Sequence, residues 1–158
     1  MQRRESGFLA LLVLVLAACS SGGDGVSPAP VIAGGAVELA VSRTCDHGSD
    51  RQCVIVNDKS VLVVPTDFER AGVHDVAVTT DEGRDVLHLQ FDDDGAAVLQ
   101  ETSARAAADG PESRLLLKVG EHVLSAATVP EGLDGDEVRV TLPADAQGEE
   151  LVDAIRSA

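Results

Sequence analysis

The chain has 158 residues, with 12 Lys and Arg against 27 Asp and Glu, a formal charge of −15 and 44% apolar residues. That length holds no more than one compact domain, and that apolar content supports a real core and excludes wholesale disorder. So acidic a surface repels nucleic acid and anionic headgroups. Aromatics at 2% leave few platforms for stacking on bases or binding cationic ligands. No nucleic-acid partner is expected.

Chain order begins with a targeting pattern. Arg3 and Arg4, diluted by Glu5, precede an apolar run from Phe8 to Ala18. The run falls short of the roughly 20 residues a finished bilayer span needs, but suits a signal-peptide core. It ends in Leu16-Ala17-Ala18-Cys19, which resembles the lipobox of bacterial lipoproteins. That resemblance implies a signal peptide over 1–18 and a diacylglycerol-bearing Cys19. A flexible Ser/Gly/Pro tether would follow over 19–35. Two or more acyl chains, palmitate among them, would hold the protein at the extracytoplasmic face of a cell membrane. An ordinary signal peptide with a chance cysteine, or an uncleaved anchor, is the competing reading of the same residues.

With Cys19 assigned to lipid, Cys45 and Cys53 remain. An even remainder outside the cytosol reads as one disulfide, closing the polar loop DHGSDRQ. A metal site on Cys45, His47 and Cys53 is the alternative. It lacks a clear fourth ligand and the usual short cysteine spacing.

The folded part is expected to begin near Ala36. Val37, Leu39 and Val41 alternate as on a half-buried strand. Cys53–Val56 and Val61–Val64 read as strands joined by a turn at Asn57-Asp58-Lys59-Ser60, with Pro65 ending the second. Val76 and Val78 mark another strand, Asp81-Glu82-Gly83 a turn, and Leu87, Leu89 and Phe91 a strand with His88 on its other face. Asp92-Asp93-Asp94-Gly95 suits a helix N-terminus, where a carboxylate caps free N–H groups. The stretch AAVLQETSARAAAD has high helix propensity, with Val98, Leu99, Thr102 and Ala106 as its packed side. Gly110-Pro111 ends it. Leu115–Val119, Val123–Val129 and Val138–Leu142 read as strands. Pro143 is read as opening a final helix, with Leu151, Val152 and Ile155 on one face. The result is an α+β fold, a mainly antiparallel sheet with two helices on one face. The expected divisions are N-terminal strands with the disulfide loop over 36–59 and a second unit over 60–158.

Over roughly 60–158 the order of features is similar to the extracytoplasmic head region of the SecD/SecDF translocation proteins. These features are a strand ending at Phe91, an acidic turn to Gly95 and a helix bearing Thr102. The strand Leu115–Leu117, Val123, the small pair Ser125-Ala126 and the helix at Leu151–Ile155 follow. The upstream run SVLVVPTDFERAGVHDVAV resembles the segment preceding them in that family. Two positions depart from the pattern, Val119-Gly120 where the family often has Asp-Gly, and Ala127 where it usually has Pro. Members of the family are multi-span membrane proteins with intramembrane charged groups. After its signal this sequence carries no apolar stretch of spanning length, so the resemblance implies the fold far more than the proton-coupled activity.

The sequence contains no G-x-S-x-G, H-E-x-x-H, Walker A or dinucleotide glycine fingerprint. His47, His74, His88 and His122 lack ligand-like spacing and read as surface residues. Asp92–Asp94 is out of register for an EF-hand, because Gly95 comes fourth rather than sixth. No enzyme activity, cofactor or metal is expected. The leading expectation is a non-enzymatic, lipid-anchored domain that binds an exported chain, the translocation machinery or an envelope component. A small-ligand or metal carrier serving a transport system is the rival, and a hydrolase using paired carboxylates a distant third.

Overall fold

The computed structural model describes residues 34–158. The expected signal peptide over 1–18, Cys19 and nearly all of the tether lie outside the described residues. Eight strands and two α-helices follow in chain order: β1 (Gly35–Arg43), β2 (Cys53–Val56), β3 (Lys59–Leu62), β4 (Glu69–Asp81), β5 (Arg84–Phe91), α1 (Asp93–Ala108), β6 (Ser113–Val119), β7 (His122–Ala127), β8 (Glu137–Thr141) and α2 (Gly148–Arg156). Six strands form one antiparallel sheet in the order β7-β6-β1-β4-β5-β8, and β2 and β3 form a separate hairpin. The fold is α+β, with both helices on one face.

β1 lies between β4 and β6. Residues of the 36–59 segment therefore supply a central strand to the sheet built by residues 60–158. Val37 and Leu39 join β4, β5, β6 and both helices in the main core, with Leu99 of α1 and Leu151 and Ile155 of α2. On the opposite face Ala40 packs with Leu116, Val56 and Val61, so the β2–β3 hairpin covers that side. Lys118 reaches toward this smaller cluster, bonding Glu38 and lying 5.1 Å from the Phe68 ring centroid. Cys45 and Cys53 are disulfide-bonded, pinning the base of the hairpin. The bond consumes both thiols, so neither serves as a metal-binding thiolate.

Several elements differ from the sequence reading. The turn after β2 takes only two residues, Asn57 and Asp58, both at positive φ (49° and 61°). That is the backbone of a tight hairpin turn whose twist matches the strands, so Lys59 and Ser60 pair instead of turning. β3 consequently runs two residues earlier than Val61–Val64. β4 extends seven residues upstream of Val76, to Glu69. A bulge at His74 shifts its register against β5. The buried positions Ala71 and Val73 fall out of phase with Val76, which hides one long strand in the pattern. The last helix begins at Gly148, not at Pro143. Ala146 N–H bonds Pro143 O at 3.0 Å, so the proline opens a turn first. A side chain at 148 would press on Val78, and glycine lets the helix start there.

α1 matches expectation closely. Asp92 accepts a hydrogen bond from Gly95 N–H at 2.7 Å and caps the helix, while Asp93 and Asp94 meet the positive end of its dipole. Gly95 sits directly against the backbone of Gly72 in β4, and a Cβ at 95 would collide with Gly72 O. Helix propensity alone favours alanine there by about 1 kcal/mol. The clash reverses that sign, and Gly95→Ala is expected to destabilise the domain by about 1–3 kcal/mol. Urea unfolding followed by far-UV circular dichroism measures it, since the chain has no Trp or Tyr for fluorescence. The double substitution Cys45→Ala/Cys53→Ala is expected to cost about 2–3 kcal/mol, from the freed loop of eight-residue separation. The far-UV spectrum of the main sheet is expected to persist.

Candidate functional site

The main features that could receive a partner lie along β7. This strand is one edge of the sheet, paired to β6 on one side alone. A bulge between Leu117 and Lys118 leaves Leu124 as the extra residue on β7. Asn57 Nδ2 donates to Leu124 O at 3.2 Å, so the tip of the β2–β3 hairpin touches this strand. Apart from His122 the residues are small or apolar (VLSAA), and none is a Lys, Glu or Pro of the kind that blunts an exposed edge.

Two clefts share β7 as a wall. The first, of about 550 Å³, runs between the β6–β7 turn and the start of α2. Its floor is apolar, made of Val119, Val123, Leu124 and Leu151, with the exposed Ala154 of α2 beside them. Its rim carries Glu121, His122, Asp145 and Glu150. Gly120 opens the β6–β7 turn at φ 56°, a conformation glycine adopts without strain. That turn carries Glu121 and His122 out to the rim.

The second cleft, of about 470 Å³, is lined by Leu39, Leu99, Leu115 and Leu117 with Ser125 and Ala127 of β7 and Val138 and Val140 of β8. Residues from both edge strands line one space, so the sheet curls around its helix face. The segment 128–136 spans from one edge to the other. It is held to α1 by Ser103, whose Oγ accepts from Leu133 N–H at 2.9 Å and donates to Gln100 O at 3.1 Å. Gln100 Nε2 adds a longer bond to Gly135 O at 3.4 Å. Ser103 is fully buried, although the expected packed side of α1 comprised Val98, Leu99, Thr102 and Ala106. The signal available was a second hydroxyl beside Thr102 on a helix otherwise rich in alanine.

The face of the sheet away from the helices is polar where the hairpin does not reach. Asp75 and Ala77 of β4, His88 and Gln90 of β5, and Glu137 and Arg139 of β8 line a shallow hollow of about 170 Å³. His88 lies on that face as the alternation predicts. It is half-buried and bonded through Nε2 to Thr79 Oγ1 at 2.8 Å. His47, His74 and His122 are exposed and lie apart on a loop, β4 and β7. Among the described residues, no three of His, Cys, Asp and Glu gather as a metal would require.

The described domain is thus a curled antiparallel sheet with two helices on one face and open clefts at an edge strand. No family model matches the chain. No curated protein matches it. Its fold is similar to a solved structure described as that of a membrane component, SecDF, that enhances protein export. The two share 14% identity with a TM-score of 0.52, over 78% of this chain and 64% of that one. This chain therefore spans less than two thirds of that protein's chain. The fold is SecDF head-like. Among the described residues, no helix is long and apolar enough to cross a membrane.

Ser103→Ala is expected to destabilise the protein by about 1 kcal/mol, because Leu133 N–H loses its acceptor. Hydrogen exchange is expected to rise within 128–136 more than in β4 or β5, a contrast that mass spectrometry reads by segment.

Proposed function

We propose that this protein is a non-enzymatic, lipid-anchored domain on the extracytoplasmic face of a cell membrane. It binds another protein and acts as an accessory to protein export. The observation carrying this reading is the SecDF head-like fold, found in a protein described as enhancing export. Leu16-Ala17-Ala18-Cys19 supports attachment through Cys19, and the Cys45–Cys53 disulfide suits an oxidising compartment. An anchor of this kind takes the place of membrane spans. It confines the domain to a thin layer where exported chains emerge, which raises the local concentration of any weakly held partner.

An edge strand beside apolar clefts suits this role. Unfolded chains expose backbone hydrogen-bonding groups and alternate side chains, and a free strand edge satisfies the first while adjoining clefts take the second. Such recognition tolerates many sequences, as an accessory of export requires. No covalent chemistry is needed, and the carboxylates serve solubility and steering instead.

In-cell photo-crosslinking with a probe at Ala127, on the edge strand, tests the reading. Partners captured by the intact protein and by Cys19→Ala are identified by mass spectrometry. Translocation components or nascent exported chains are expected with the intact protein and are expected to fall at least several-fold with Cys19→Ala. Capture of a cell-wall enzyme or a solute transporter in their place would show that the head-like fold has been put to another use.

A further inference from the structure

The two clefts along β7 differ in charge, and the difference names a class of ligand for the first. Its lining includes three carboxylates, Glu121, Asp145 and Glu150, and neither Lys nor Arg. The second cleft has Glu131 and Glu137 with Arg139 among them, so its acids have a cation at hand. Lys118 follows Leu117 on β6 but bonds Glu38, within the cluster on the hairpin side, and does not line the first cleft. The acids of this rim come from separate elements: the β6–β7 turn, the loop after β8, and the first turn of α2. With them the cleft is lined by apolar Val119, Val123, Leu124 and Leu151, and by the exposed Ala154 of α2.

We infer that the first cleft binds extended apolar segments that carry Lys or Arg at one end. This rests on the protein-binding reading above and specifies which segments are preferred. The floor removes alternate apolar side chains from water, while β7 borders the cleft and offers the segment's backbone the edge groups other than Leu124 O, which Asn57 holds. The rim then discriminates. A flanking Lys or Arg meets three carboxylates at the mouth, whereas a flanking Glu or Asp meets the same three as like charges. An uncharged apolar segment gains the floor alone. Rim pairs stay partly hydrated, so each adds modestly and together they amount to about tenfold in affinity. The formal charge of −15 over the whole chain draws the same segments inward before contact.

The test titrates the full-length protein against three dye-labelled twelve-residue peptides and follows fluorescence anisotropy. All share one alternating Val/Ser sequence, ended by two Lys, two Glu or two Gln. The Lys peptide is expected to bind about tenfold more tightly than the Gln peptide, and the Glu peptide more weakly than either. Raising salt is expected to erase most of the difference. The variant Glu121→Gln/Asp145→Asn/Glu150→Gln alters only exposed side chains and is expected to bring all three peptides within about twofold of one another. Ala154→Trp, at an exposed helix position lining the cleft, is expected to weaken all three, with circular dichroism confirming the fold. Equal affinities for the three peptides, or an unchanged Lys preference in the triple variant, would overturn this inference and leave protein binding standing. Loss of both peptide binding and in-cell capture would remove the underlying reading as well.

Discussion

Burial of β1 on both faces is the constraint from which the rest of the structure follows. A strand between β4 and β6 is paired along both edges and largely covered, and its two faces must satisfy different neighbours. Toward the helices it presents Val37 and Leu39, at 1% and 0% exposure. On the hairpin side it presents Ala36, Ala40 and Ser42, small enough for a second layer to approach, and Glu38, half-buried and paired with Lys118. Ser42 then donates through its hydroxyl to Leu62 O, fixing the hairpin beside the end of β1. Large residues at positions 40 and 42, where Val56, Val61 and Leu62 approach, would lift the hairpin off the sheet. Small residues on the other would leave voids under both helices, where truncating a single leucine costs about 2–5 kcal/mol. The asymmetric strand sets a thick layer on one side and a thin one on the other.

The thick side then determines where the clefts can form. α1 is drawn tight against β4 through the contact of Gly95 with Gly72. α2 is seated by Gly148 on Val78, and its last turn lies against Gly35. Helices held so close to the middle of the sheet do not reach its edges. The strands at the margin curl inward to cover apolar surface the helices leave uncovered, and the 128–136 segment bridges what remains. The clefts are the unfilled space of that arrangement. A modest core and very few aromatics leave nothing bulky to close them.

Much of this was legible in the sequence, for local reasons. The cap at Asp92, the helix after it, the disulfide and the alternating strands at Leu87–Phe91 and Val138–Leu142 depend on neighbours a few residues away. Apart from the two-residue turn at Asn57-Asp58, the elements read wrongly depend on contacts far along the chain. The length of β4 is set by pairing with β1 and β5, and the bulge at His74 breaks the period that would have displayed it. The start of α2 is set by Val78, seventy residues earlier. The separation of β2 and β3 from the main sheet cannot be read from CVIV or KSVL, which alternate no better in one arrangement than in the other. Val54 and Ile55 are exposed, whereas an apolar run of that kind normally reads as fully buried.

The clefts were the least legible feature, because no single segment encodes them. Glu121 is a turn residue, Asp145 a loop residue and Glu150 a first-turn helix residue, and each has an adequate local reason to be acidic. Glu150 suits a helix start by the dipole argument alone. Only the curl of the sheet brings them to one rim. The same holds for the floor, where Leu151 is simply an inward residue of α2 until β7 faces it across open space. A strongly negative chain could have spread its charge evenly as a solubility device. It has instead placed three carboxylates over apolar surface beside a strand edge that the hairpin hydrogen-bonds only at Leu124, where hydration of the acids and exposure of the floor oppose each other. A partner that is both apolar and cationic resolves that opposition, and neither property alone does so.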